Sequence, residues 1–323
     1  MTRRWHMLFL VGVVGLISGV LAQPRGPMRG GWRGGNEDDL GGSLVRTEGS
    51  GIIDEDLVRT AREVVSHSTG TPNWTVPPAF RKDVFTFARS IFKVGPNLAP
   101  GYGRGRRLGW WVDFPDADLN LSYRLQELTS MRTDPDGRVL KFSDPALHDY
   151  PFILMEHPGY IKLREEEEKG LRRYLLAGGT LVVIDFWGTR EWEGFAAQMK
   201  RVMPERGWTD LGFEHPIFHC VYDMKGPMRR LQVPTMQFWN REHDPDSPNP
   251  IGPLQVFRGE GSEEMHVRAM YDDKGRLSVI AFHNSDLTDG WEREGENADF
   301  FEKFSEKVSY PLGINLLFYL MTH

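Results

Sequence analysis

The chain has 323 residues, with 39 lysines and arginines against 45 aspartates and glutamates, giving a formal net charge of −6. This acidic balance argues against a nucleic-acid-binding protein, whose binding face needs a basic excess. Hydrophobic residues make up 40% and charged residues 26% of the chain, which excludes a disordered or fibrous protein and allows a large core.

The first 22 residues have the pattern of a signal peptide. Arg3 and Arg4 precede the apolar run 7–21, and the segment Val20–Ala22 provides small residues for cleavage after Ala22. The apolar run is shorter than the roughly 20 residues that cross a bilayer as a helix, which favours cleavage over retention as an anchor. The sequence therefore predicts an exported protein, periplasmic or extracellular, with no membrane span after cleavage.

Three further segments are predicted after the signal peptide. Residues 23–51 are rich in glycine, arginine and proline without apolar periodicity, which is typical of a flexible tether. The segment 52–83 is predicted as a helix, from Ile52 to Val65, followed by a loop, and the main domain as 84–323. The single cysteine, Cys220, excludes an internal disulfide, and its apolar neighbours favour a buried structural thiol over a nucleophile.

The predicted elements of the main domain alternate between strands and helices. Strands are predicted at 84–92, 108–112, 139–142, 151–156 and 180–184, and helices from Asp118 onward, at 163–177, at about 190–201 and at about 309–321. The run 180–184 is continuously apolar, which indicates burial on both faces, as in a parallel sheet. Together with the preceding strand and helix, it predicts a right-handed βαβ unit and an α/β, doubly wound fold.

A β-hairpin is predicted in the C-terminal part of the chain. The apolar runs 266–271 and 277–282 are joined by Asp272-Asp273-Lys274-Gly275, a sequence typical of a tight turn. The hairpin therefore extends the predicted parallel sheet.

Polar residues follow the predicted strands at the edge where open α/β sheets bind ligands. Asp185 directly follows the strand 180–184 and precedes Trp187, so its carboxylate is a candidate general base or binding group. The alternative is that Asp185 caps the next helix. Asp113 and Asp116 follow the strand 108–112 and are candidate ligand-binding residues.

Histidines supply further candidates for proton transfer. His157 follows the strand 151–156 and is expected near Asp185, and His283 follows the second hairpin strand. A structural role is the alternative for each histidine. The catalytic candidates are thus Asp185, His157 and His283, and the ligand-binding candidates are Asp113, Asp116, Trp187, His215, Asn284 and Asp286.

The sequence assigns no cofactor and no metal-ligand set. It contains no GxxxxGK[ST], HExxH or GxSxG motif, and one cysteine cannot form CxxC. Asp116, Asp118 and Asn120 have the spacing of a calcium-binding loop, but Leu121 stands where that loop needs glycine. This difference favours Asp118 as a helix cap.

Several motifs together resemble a known bacterial family. They are Phe85-x-Phe87-x-Arg89, Trp111-x-Asp113-Phe114-Pro115-x-Ala117-Asp118-x-Asn120, Tyr150-Pro151, Leu171 to Trp187, His215-Pro216-Ile217-Phe218, Asn284-x-Asp286 and Gly313-Ile314-Asn315. Over about 84–321, the chain resembles domain-of-unknown-function family 4159, which is similar to class I glutamine amidotransferase-like domains. The resemblance implies a flavodoxin-like, three-layer, mainly parallel sheet. Glutaminase activity does not carry over, because Asp185-Phe186-Trp187 stands where amidotransferases have their cysteine.

Three functional hypotheses follow from these patterns. The leading one is an exported domain that binds a small polar ligand, such as a sugar or cell-wall fragment, at the edge formed by Asp113, His157, Asp185 and His283. Loop tryptophans suit stacking against sugars, although they could equally cover the sheet edges. The second hypothesis is a non-catalytic scaffold that binds an envelope protein. The third is a metal-assisted hydrolase in which Asp185 and histidines hold the ion.

Overall fold

Continuous apolar runs form the central strands of this protein. The computed structural model describes residues 43–47, 51–95, 109–243 and 258–323. The predicted signal peptide 1–22 and most of the predicted tether lie outside the described residues. Within those ranges, no helix is long and apolar enough to cross a membrane.

Seven strands form one sheet in the order β4-β3-β5-β6-β9-β8-β7. Neighbours from β4 to β9 run parallel, whereas β8 is antiparallel to both β9 and β7. This arrangement confirms the mainly parallel α/β sheet with a C-terminal hairpin. The strands are β3 Ala88–Ile91, β4 Arg138–Lys141, β5 Phe152–Glu156, β6 Thr180–Phe186, β7 Thr209–Asp210, β8 His266–Tyr271 and β9 Leu277–His283.

Helices cover both faces of the sheet. Alternate residues of β5 enter different cores: Ile153 packs with the residues of α2 and α3, and Leu154 with those of α1 and α6. The sheet is therefore the middle of three layers. The helices are α1 Asp116–Leu128, α2 Glu165–Leu176, α3 Gly188–Val202, α4 Leu287–Glu292, α5 Ala298–Phe300 and α6 Tyr310–Thr322, with a π-helical segment, Phe301–Ser309, between the last two.

The helix predicted from Ile52 to Val65 is not formed. Residues Gly51–Asp54 form strand β2, which pairs with strand β1, Leu44–Thr47, inside the predicted tether. Beyond β2, the chain follows the edge of β4, where the Val139 amide donates to the Arg59 carbonyl at 2.9 Å. Backbone pairing at the sheet edge takes the hydrogen bonds that a helix would use.

The strand predicted at 108–112 is also not formed in residues 109–112, the part of it that the structure describes. Residues 109–112 form turns, and the carbonyls of Trp110 and Val112 accept hydrogen bonds of 3.0 and 2.9 Å from the Arg89 guanidinium. Helix α1 begins at Asp116, so Asp118 lies in its first turn rather than at its cap. The buried charge of Arg89 organises this segment, which the apolar pattern could not indicate.

Cys220 is exposed, which corrects its predicted burial. Its Sγ nevertheless donates to the Asn315 carbonyl of α6 at 3.2 Å, and the partial desolvation of the sulfur at this contact raises the pKa of the thiol. A raised pKa disfavours the thiolate, so the environment of Cys220 is not that of a nucleophile.

Candidate functional site

Four non-glycine residues with a left-handed backbone mark the carboxyl edge of the sheet and the loop before α1. Their φ angles are 56° at Asp113, 55° at His157, 51° at Asp185 and 61° at Asn284. Backbone hydrogen bonds fix this edge: the amide of His157 donates to the Ile184 carbonyl, and that of Asn284 to Phe186. Such strained residues concentrate at functional sites.

Five buried carboxyl groups meet at this edge. We call Asp113, Glu156, Asp286, Asp289 and Glu292 the acidic cluster. Glu156 is the last residue of β5. Asp286, Asp289 and Glu292 are three positions apart, beginning at the cap of α4, which places them on one side of that short helix. One oxygen each from Asp113, Glu156 and Asp286 lie within 4.8 Å of one another, and the same holds for Asp113, Asp289 and Glu292.

Two buried arginines compensate only part of this charge. Arg89 is ion-paired with Glu156 and donates from Nε to both oxygens of Asp118 at 2.9 and 3.0 Å. The Nε of Arg293 lies 2.6 Å from a Glu292 oxygen and 3.1 Å from an Asp289 oxygen.

Counting Asp118, six carboxyl groups face these two arginines, an excess of four negative charges if all are ionised. His67, whose Nδ1 lies 3.1 Å from Glu292, offsets one of them when it is protonated. Buried charges of one sign must be neutralised by protons or by a cation.

Burial raises the carboxyl pKa values in the cluster. Desolvation raises the pKa of Glu156 to about 7 even though Arg89 acts in the opposite direction. The pKa values of Asp113 and Asp286 rise well above their usual range, first through burial and then through neighbouring carboxylates. Without a cation, the folded cluster therefore holds protons at neutral pH, whereas the same carboxyl groups in the unfolded chain are ionised at that pH.

This proton uptake predicts a pH-dependent stability. Because the pKa of Glu156 is higher in the folded state, its stabilising contribution is complete below pH 4.5 and is lost as pH rises through about 7. A shift of this size corresponds to roughly 3 kcal/mol. Urea unfolding of chelator-treated protein should give a lower free energy of unfolding at pH 8 than at pH 5. A free energy that rises steadily over this interval would contradict the raised pKa.

Four cluster oxygens are buried without a hydrogen bond from any described group: Asp113 Oδ2, Glu156 Oε1 and both oxygens of Glu292. The Glu292 oxygens do face cationic partners, with His67 Nδ1 at 3.1 Å and Arg293 Nε at 2.6 Å. By contrast, Asp286 Oδ1 accepts from the Asp289 amide at 2.9 Å, and its Oδ2 accepts from Thr235 Oγ1 at 2.8 Å. A buried carboxylate oxygen without a donor is costly, so Asp113 Oδ2 and Glu156 Oε1 indicate the place of a missing partner.

Asp185 and Trp187 lie beside the acidic cluster, at the predicted sheet edge. Asp185 Oδ1 accepts a 2.6 Å hydrogen bond from the Trp187 indole, and an Arg258 nitrogen lies 3.7 Å away. The charge of Asp185 also raises the pKa values of Glu156 and Asp286. The structure thus places Asp185 near Glu156 and Asp286, two members of the acidic cluster.

The histidines are placed differently from one another. His157 is buried with its Nδ1 unpartnered among the described groups, next to Glu156 in the chain. His283 has both ring nitrogens engaged, by Arg268 at 3.1 Å and by the Gly188 carbonyl at 3.0 Å, and burial lowers its pKa to about 3. Proton transfer by His283 would require one of these contacts to break.

Three other predicted residues make structural contacts. Asn284 accepts from the Gly188 amide at 2.7 Å and donates to the Gly261 carbonyl at 2.8 Å, which joins the ends of β6 and β9 to the segment before β8. Asp116 accepts from the His67 amide at 2.9 Å and so fixes the N-terminal segment. His215 lies 3.4 Å from the Tyr271 hydroxyl, beyond the start of β9 and therefore at the opposite edge of the sheet.

Several residues of this site escape the sequence analysis. Glu156, Asp289 and Glu292 join the cluster, while Arg89 and Arg293 compensate it. Two signals were available in the sequence: a charged residue at the end of an apolar strand, and acidic residues at three-residue spacing after β9. The pairing of Arg89 with Asp118 had no such signal because the two residues are 29 positions apart in the sequence.

Comparison with known proteins gives one family. The model of a family described as Domain of unknown function (DUF4159) matches residues 102–321, about two thirds of the chain. That range includes the whole acidic cluster. No curated protein matches the chain.

Proposed function

The chain belongs to the family Domain of unknown function (DUF4159), and because this description names no activity, we propose a function from the site itself. We propose that the protein binds a divalent cation and, through that ion, a small polar ligand. The observation that carries this proposal is the triad of Asp113, Glu156 and Asp286, in which two buried oxygens lack hydrogen bonds. The site lies at the carboxyl edge of a parallel sheet, where α/β proteins bind their ligands.

The chemistry of the triad favours a hard cation such as Mg²⁺, Mn²⁺ or Ca²⁺. Its donors are all carboxylate oxygens, which these ions prefer over nitrogen or sulfur. Oxygens on opposite sides of such an ion, at about 2.0–2.6 Å each, are separated by about 4–5 Å. The three triad oxygens all lie within 4.8 Å of one another, so one ion can contact all three.

The other set of three carboxylates is less suited to the ion. The Nε of Arg293 already lies within 3.1 Å of both Asp289 and Glu292, so a cation there would be repelled by the guanidinium. Asp113 belongs to both sets. We therefore assign Asp113, Glu156 and Asp286 as the proposed ligands, and Arg293 as the local partner that compensates the charges of Asp289 and Glu292.

A cation held by three protein oxygens retains coordination positions for other oxygen ligands. Asp185, fixed by Trp187 and accompanied by Arg258, lies beside the cluster and would contact a polar molecule bound to the ion. Hydroxyl-rich ligands, such as the sugars or cell-wall fragments favoured by the sequence, offer suitable oxygens.

Isothermal titration calorimetry of the chelator-treated full chain tests this proposal. We expect Mn²⁺, Mg²⁺ or Ca²⁺ to bind with one ion per chain and to release protons, because the ion displaces them from the cluster. Glu156→Gln should abolish binding, whereas Glu205→Gln, which alters an exposed carboxylate, should not. Absence of heat with all three ions, at pH 7.5 and at pH 8.5, would contradict the proposal and favour the scaffold hypothesis.

We also propose that the domain is related to the glutamine amidotransferase-like fold but lacks glutaminase activity. This rests on the parallel sheet with helices on both faces and on Asp185 at the end of β6, with Cys220 beside α6 instead. Glutamine should be stable in the presence of the protein, and ammonia release that is lost in Cys220→Ser would contradict this.

Export is a further proposal, supported by residues 1–22 of the sequence alone. N-terminal sequencing of protein recovered from the periplasm of a bacterial host should begin at Gln23. Recovery of the intact chain from the cytoplasm would contradict it.

A further inference from the structure

A groove of about 570 Å³ lies between α3 and the turn that follows β5. It is distinct from the acidic cluster, and none of the cluster residues lines it. Its charged and aromatic lining comprises Tyr160, Lys162, Arg190, Glu193 and Arg201.

Close backbone contacts shape the floor of this groove. The Gly95 amide donates to the Tyr160 carbonyl at 2.8 Å, and the Lys162 amide donates to the Lys93 carbonyl at 2.9 Å. A Cβ atom at Gly194 would lie 2.5 Å from the Gly159 carbonyl oxygen, so α3 can approach the turn this closely only with glycine there. The groove is therefore held by backbone bonds and is not a gap between mobile side chains.

The lining of the groove is basic. Three cations face a single carboxylate among the lining residues, that of Glu193. Arg201 is ion-paired with Glu168, whereas the side chains of Lys162 and Arg190 are exposed and form no ion pair with a described residue. The Arg190 guanidinium lies 5.9 Å from the centre of the Tyr160 ring, which fixes a cation beside an aromatic face.

We propose that this groove binds an anionic ligand, one that carries carboxylate or phosphate groups, with Lys162 and Arg190 as its principal contacts. Unpaired cations in a shaped recess concentrate the field on an anion, and a guanidinium matches the oxygens of both groups. The inference does not rest on the cation site, since no residue of the acidic cluster is among the described residues that line the groove.

Equilibrium binding of two probes to the full chain tests this inference. Trigalacturonate presents carboxylates on a sugar chain and inorganic tripolyphosphate presents phosphates, so the two measurements distinguish the sources of the anion. Both are carried out in excess chelator, which separates the result from that of the cation proposal. We expect at least one probe to bind, with an affinity that falls as salt increases.

Paired variants make the test specific. Lys162→Gln combined with Arg190→Gln should weaken binding at least tenfold, while Lys274→Gln combined with Arg229→Gln, which removes one exposed lysine and one exposed arginine elsewhere, should change it less than twofold. Failure of both probes to bind would overturn the inference. Equal losses in the two double variants would also overturn it, because binding would then reflect net charge rather than the groove.

Discussion

Asp113→Asn should abolish the stabilisation by a divalent cation while leaving the cation-free protein at least as stable as the wild type. Burial and the neighbouring carboxylates raise the pKa of Asp113, so its ionised form is unfavourable in the fold. Asparagine has nearly the same shape without the charge. At a metal concentration of about 100 times Kd, the wild type should gain about 2.7 kcal/mol and the variant none.

Calorimetric unfolding with and without Mn²⁺ at pH 7.5 measures both effects. Asp273→Asn is the matched control, because Asp273 is 87% exposed at the tip of the β8–β9 hairpin and pairs only at the surface with Arg206. This control should retain the full metal-induced shift. A metal-induced shift preserved in Asp113→Asn, or a large loss of stability without metal, would show that the Asp113 carboxylate is structural instead.

Arg89→Met should reduce the free energy of unfolding by about 3–5 kcal/mol, since it removes one partner of a buried ion pair and leaves the others uncompensated. Arg89 is completely buried and holds Asp118, Glu156 and the carbonyls of two turn residues. Its loss would remove the cationic partner of both carboxylates and the side-chain donor of both carbonyls. Urea unfolding at pH 7.5 measures the cost.

Arg276→Met provides the comparison for Arg89→Met. Arg276 is 40% exposed and pairs with Asp272 near the hairpin turn, so its loss should cost about 0–1 kcal/mol. The penalty of Arg89→Met should also shrink at pH 5, where Glu156 takes up a proton and no longer needs its partner. A penalty below about 1 kcal/mol, or one independent of pH, would contradict the proposed role of Arg89.

The parts of the fold that depend on apolar periodicity were predictable. The run 180–184 appears as β6, and the hairpin at 266–271 and 277–282 appears as β8 and β9, because burial on two faces or alternation with a tight turn leaves a direct sequence signal. The helix predicted from Ile52 to Val65 was wrong although it rests on the same kind of evidence, apolar periodicity. Its apolar spacing is real, but Leu57 and Val65 are exposed at 73% and 72%, since the backbone pairs with β4 instead.

The site was predictable to the extent that topology determines it. Asp185 lies near the end of β6 and His157 directly follows β5, so both belong to the carboxyl ends of adjacent parallel strands and their common location could be inferred from the βαβ unit alone. The other residues that determine the chemistry of the site could not be predicted from the topology. Glu156 and Glu292 are 136 residues apart, and only the packing of α4 against α1 and β6 brings both to Asp113.

Anomalous diffraction from crystals of the full chain soaked in Mn²⁺ is the most direct test of the central claim. The account predicts one strong peak, coordinated by oxygens of Asp113, Glu156 and Asp286 at about 2.0–2.6 Å. The absence of density there at saturating Mn²⁺, or a peak held only by surface carboxylates, would contradict it and leave the acidic cluster as a proton-holding core.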